Sequence, residues 1–157
     1  MPIQEVENEF NYDKEQYKKD SDALKEKVIA LVGEDCCINA ENFSKLKSDE
    51  ITLVAYYMLK EELLEGGFVQ LIQNGYGPFF FDNPFAKAMR LWGLKDFSKW
   101  LYKVKDVYEK CKSELSKQVE SDDEFMALYE QYPQFEVFDD EFIVIEPYIT
   151  HDIVAHI

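Results

Sequence analysis

Apolar residues along this chain recur at steps of three and four far more than at steps of two, so the sequence predicts helices. The clearest runs from about Lys95 to Lys117. Leu94, Phe97, Leu101, Val104, Tyr108, Cys111 and Leu115 form one stripe, with lysines over much of the opposite face. Upstream, Leu24, Val28 and Leu31 share a face, and Gly33 suits the left-handed residue past a helix end. A short loop through Cys36 and Cys37 leads to a small helix over Ala40–Leu46. Ser48 or Asp49 caps a helix reaching Glu65, apolar on most faces (Ile51, Leu53–Leu59, Leu63, Leu64) and therefore central to its domain.

Gly67 to Asn74 reads as a short helix and Tyr76 to Phe81 as a glycine-, proline- and phenylalanine-rich loop. Asn83 then caps a helix with Pro84 at its first position and Gly93 as its stop. Ser121 and Glu124 have capping-box spacing and open a helix to Pro133. After Pro133 the pattern weakens. Phe142 to Ile145 is too short for periodicity to decide between strand and helix, and Pro147 to Ile157 has Ile149, Ile153 and Ile157 on one helical face. The expected fold is all-α, a compact multi-helix bundle with at most one short extended segment near 142–145. Residues 1–11 read as a loose acidic lead-in and 12–157 as one helical domain.

Charge changes the picture. Gln118 to Ile157 contain no lysine or arginine but 11 of the 32 acids, so −11 of the formal −15 falls in the last quarter of the chain. Such a field repels nucleic acid and anionic lipid and attracts basic surfaces. Phe125, Tyr129, Phe135, Phe138, Phe142 and Tyr148 interleave these acids, which marks a folded segment with an acidic outer face. The expected partner-binding set is Asp122, Asp123, Glu124, Glu130, Glu136, Asp139, Asp140, Glu141 and Glu146. A purely solubilising surface is the competing reading.

Catalytic chemistry finds little support. There is no Walker-A, GxSxG or HExxH spacing, and His151 and His156 are five apart, a poor fit to a ligand pair on one helix face. Three cysteines, two adjacent, give no disulfide framework and no CxxC. The expectation is no catalytic residue, no metal and no cofactor. No apolar run is long enough to span a membrane. With the polar, acidic start unlike a signal peptide, this points to a reducing, bacterial-type cytosol.

The stretch Glu61-Glu62-Leu63-Leu64-Glu65-Gly66-Gly67-Phe68-Val69-Gln70-Leu71-Ile72-Gln73-Asn74-Gly75 resembles the core motif of a bacterial family named after a DNA-mimic protein. The shared features are an acidic residue, a short spacer, Gly-Gly-Phe, a glutamine two further on and an asparagine ending the helix. Ala86–Leu94 and Asp139-Asp140-Glu141-Phe142 resemble the family pattern too, so the likeness covers about residues 48–146. Glu65 stands where an asparagine is expected, and the aromatic loop Tyr76–Phe81 is longer than usual.

Taken on their own, Glu62, Gly66, Gly67, Phe68, Gln70 and Asn74 read as a structural corner. Gly66 would be left-handed, Gly67 would open the next helix at a sharp angle, and Phe68 would drop into the core. Gln70 and Asn74 would tie down loop backbone. The resemblance implies an acidic, dimeric, all-helical protein that presents carboxylates where phosphates would lie on the DNA-binding face of a transcription factor. Duplex DNA carries about one charge per 1.7 Å, so eleven carboxylates match about 19 Å of duplex, one recognition module; two modules call for a homodimer. An immunity or antitoxin protein facing a basic nuclease toxin uses the same electrostatics. A small enzyme with a pocket near Gln70, Asn74, Tyr76 and Arg90 is the remaining alternative.

Overall fold

The computed structural model describes residues 14–117 and 119–157; the expected lead-in over residues 1–11 lies outside them. Among the described residues the chain forms nine helices and no strand. They are α1 (Lys14–Val32), α2 (Ala40–Phe43), α3 (Ser48–Glu65), α4 (Gly67–Gln73), α5 (Gly77–Phe81), α6 (Phe85–Leu91), α7 (Lys95–Leu115), α8 (Asp122–Gln131) and α9 (Pro133–His156). The fold is all-α. The chain divides into two compact units, one containing the chain through Lys60 together with Ile143–Ile157, the other Glu61–Phe142.

In the first unit α1 buries Leu24 and Val28 and ends at Gly33, whose φ of 91° is left-handed. Asn39 and Asn42 cap α2 reciprocally, each side-chain oxygen accepting the other's backbone N–H at 2.9 Å. The N-terminus of α3 is closed one residue earlier than expected: the Lys47 N–H donates to the Glu50 carboxylate at 2.8 Å, and the Lys47 carbonyl accepts from Ile51 N. Eight consecutive residues of α3, Leu53 to Lys60, are buried, as a helix apolar on most faces requires.

The second unit is built on aromatic packing. The fully buried Phe68 ring lies 5.6 Å from Trp100 and 6.2 Å from Phe135, and Trp100 stacks on Phe142 at 5.9 Å. The stripe of α7 is buried as its spacing predicts, from Phe97 through Leu115. Tyr76 to Phe81 is not a loop. Gly77–Phe81 is one turn of helix, which accepts Pro78 because its first turn needs no N–H donor there. Asn83 does not cap α6; its amide donates to the Phe79 carbonyl at 2.9 Å, and Pro84 stands at the cap.

Two corrections bear on the corner. Gly66 has φ −145° and is not left-handed; Gly67 is, at φ 80°. A Cβ on Gly67 would lie 2.2 Å from Asp139 Oδ2, so both conformation and space demand glycine there. Gln70 and Asn74 do not tie down loop backbone. Gln70 Nε2 donates to Glu62 at 3.0 Å, and Asn74 Nδ2 donates to both oxygens of the same carboxylate at 3.0 and 3.2 Å. The three side chains clip the end of α3 to α4.

The expected extended segment at 142–145 and the separate terminal helix are one helix, α9, which runs through Pro147. Its buried residues, Phe135, Asp139, Phe142, Glu146, Ile149, Thr150 and Ile153, keep helical spacing. Two of those core positions are acids. They interrupt the hydrophobic stripe and hide the period from a reading of apolar residues.

Candidate protein-interaction face

Seven of the nine acids expected on one face reach solvent: Asp122, Asp123, Glu124, Glu130, Glu136, Asp140 and Glu141. Asp139 and Glu146 do not; they are 8% and 2% exposed. The seven belong to the second unit and are carried by α8 and the first half of α9.

Local chemistry places the first three. The Ser121 hydroxyl accepts the Glu124 N–H at 3.1 Å, and the Glu124 carboxylate reaches back to the Glu120 N–H at 2.9 Å. Asp122, Asp123 and Glu124 thus crowd the first turn of α8, where the partial positive charge of the helix end offsets their mutual repulsion. Glu136 and Asp140 are four apart on α9 and act together on Tyr129. Burial, then Asp139, Glu136 and Asp140, raise the Tyr129 phenol above its ordinary value.

The turn between α8 and α9 is anchored by a residue that no sequence signal marks. Glu114 of α7 accepts from the Tyr132 hydroxyl at 2.5 Å and from the Gln131 amide at 3.0 Å. These donors hold the Glu114 carboxyl below its ordinary range, and the same bond pushes Tyr132 up to about 12. Gln73 of α4 ties down the end of α7, where the chain leaves for α8, donating to the carbonyls of Leu115 and Lys117, the latter at 2.8 Å.

Asp139 sits beneath this face. Its Oδ1 accepts the Phe68 N–H at 2.9 Å, while Oδ2 is buried without a hydrogen-bond partner. Burial is the main cause that pushes its carboxyl up to about 7; Asp140 and Glu136 add to it, and the Phe68 N–H and Tyr129 hydroxyl oppose it. In the first unit Glu146 is bonded by the Tyr17 hydroxyl at 2.7 Å and the Thr150 hydroxyl at 2.8 Å, with Lys60 Nζ at 3.7 Å. Burial and these internal partners take both acids out of the exposed set.

Other chemistry stays apart. His151 pairs with Asp20 at 2.8 Å, not with its neighbour Asp152. Among the described residues no group of three or more His, Cys, Asp or Glu is placed to hold a metal ion, and no helix is long and apolar enough to cross a membrane. A cavity of about 240 Å³ in the second unit is lined by residues including Phe80, Phe85, Tyr102, Lys87 and Lys105, and by none of Gln70, Asn74, Tyr76 or Arg90.

Residues 44–156, well over half of the chain, match the model of the family described as DMP19-like protein. The chain belongs to the DMP19-like family. The DNA mimic protein DMP19 of Neisseria meningitidis serogroup B (strain ATCC BAA-335 / MC58) is a relative, 38% identical over 99 residues. That alignment takes in 63% of this chain, which spans 60% of the relative's length. The DMP19-like match includes the Glu62–Gln70–Asn74 clip, the Gly67 corner and all seven exposed acids.

Proposed function

We propose that this protein is an acidic interaction protein of the DNA-mimic kind, whose exposed carboxylates occupy the basic face of a DNA-binding protein. One observation carries the reading: seven exposed acids on α8 and α9, in a stretch of 40 residues with no lysine or arginine to neutralise them. Membership of the DMP19-like family, and likeness to a relative named as a DNA mimic, support it. Exposed like charges destabilise a fold through self-repulsion, so a concentrated set calls for a cationic counterpart. The counterpart proposed is a cytoplasmic transcription factor, and a homodimer of this chain would present two faces to a two-module factor.

The test is competition. Basic DNA-binding proteins purified from the native cell are offered to this protein, and bound ones are challenged with their own DNA sites. DNA should displace the protein, and binding should weaken steeply between about 50 and 200 mM salt, as DNA binding does. The charge reversal Glu136→Lys, Asp140→Lys, Glu141→Lys should abolish binding with the helical signal intact. Binding that ignores salt, DNA and this triple change sinks the reading.

A further inference from the structure

Two apolar side chains stand bare among the carboxylates. Met126 is 51% exposed and Val137 is 57% exposed. On α8, Met126 is four residues from both Asp122 and Glu130 and three from Asp123, so all three share its side of the helix. On α9, Val137 is three from Asp140 and four from Glu141. A single exposed hydrophobe is ordinary. The alkyl stem of a nearby lysine or arginine can cover it. Along their own helices every charged residue within four positions of these two is an aspartate or glutamate, so no lysine or arginine of the same helix lies beside them.

We infer that Met126 and Val137 are apolar anchors of the acidic face, standing where thymine methyl groups stand in duplex DNA. This rests on the mimic reading and deepens it. A protein surface that reads the major groove carries two kinds of group: cations for phosphates, and small apolar side chains for the thymine methyl. Carboxylates satisfy only the first. Met126 and Val137 fit the second, each bordered by the anions that would meet the flanking cations. The carboxylates then set the association rate and the salt dependence, while the two anchors decide which basic surfaces are held.

The probe is a pair of synthetic helical peptides with equal numbers of arginines, one carrying leucine and alanine between them, the other serine. The protein should bind the leucine–alanine peptide about tenfold more tightly. That peptide should shift the methyl resonance of Met126. In the double variant Met126→Gln, Val137→Thr the preference should vanish, while affinity for the arginine–serine peptide and the salt slope of both stay unchanged. Equal binding of the two peptides by the unaltered protein, or a preference that survives the double variant, overturns the anchors alone. If the arginine–serine peptide also fails to bind, or binds equally well after the charge reversal of Glu136, Asp140 and Glu141, the charge reading has failed first. Both substituted positions are solvent-exposed, and an unchanged thermal melt confirms that the variant compares like with like.

Discussion

Asp139 and Glu146 come from the same stretch without bases and the same helix, and both are buried. The structure treats them in opposite ways. Glu146, in the first unit, has a hydroxyl donor on each oxygen and a lysine ammonium beside it. Thr150 passes the network on to Tyr56, whose phenol bonds it at 2.8 Å and is raised well above its ordinary value by burial and by Glu146. Asp139, in the second unit, accepts the Phe68 N–H on one oxygen, and its other oxygen fills the space that a Cβ on Gly67 would need. Burying a carboxylate is tolerable when its lone pairs are filled; otherwise the environment favours the protonated acid. Glu146 has its oxygens filled and a cation beside it, whereas burial pushes the Asp139 carboxyl up to about 7.

The largest expected effect comes from breaking the satisfied network. Glu146→Ala leaves Lys60 buried without its counterion and should cost on the order of 3–5 kcal/mol by urea denaturation. The pair exchange Lys60→Met, Glu146→Leu should recover much of that loss; if it is no better than the single change, the ion pair is not what the network supplies. Next comes Gly67→Ala. It forces a side chain into the left-handed region and onto the Asp139 carboxylate, for roughly 2–4 kcal/mol. A melting temperature within a degree of the parent's would show that the corner yields.

Asp139 gives a smaller, pH-dependent effect. Its folded pKa, about 7, stands above the ordinary carboxylate value. Its contribution to stability is therefore fully present below about pH 4 and is lost as pH rises through 7. Asp139→Asn removes that slope, so the variant should gain about 2–3 kcal/mol relative to the parent between pH 5 and 8. An identical difference between the two proteins at both pH values would place the titration elsewhere. Smallest of all, Glu136→Gln and Asp140→Asn on the exposed surface should move stability by no more than about 0.5 kcal/mol. A larger change would mean that these carboxylates also serve the fold.

The contrast also explains what could be read from the sequence. The stripe of α7 was legible because every buried position is apolar or nearly so, and the period is unbroken from Phe97 to Leu115. In α9 the period is equally regular, but Asp139 and Glu146 occupy two of its core positions, so apolar residues alone looked like short fragments. The partners that make those acids acceptable, Phe68 and Tyr17, lie far away in sequence, and no local pattern connects them. The same limit applies to the corner. A glycine pair between two helices was visible, but which of the two is left-handed shows only in the fold, where Gly67 packs against Asp139. The clip was half legible: Gln70 and Asn74 stood out by spacing, while Glu62 as their common acceptor required the fold. The exposed acids were the easiest part, since the absence of lysine and arginine needs no tertiary information.

The Glu62–Gln70–Asn74 clip has a consequence for inheritance. The resemblance to the family rests on these residues with Gly67 and Phe68, and their side chains are engaged inside the molecule, in the clip, the corner and the aromatic core. None of them belongs to the seven exposed acids. Descendants of one ancestor can keep this scaffold intact while the residues of α8 and α9 drift toward different clients. The motif reports on the scaffold, and the partner proposed for the acidic face rests on α8 and α9 instead.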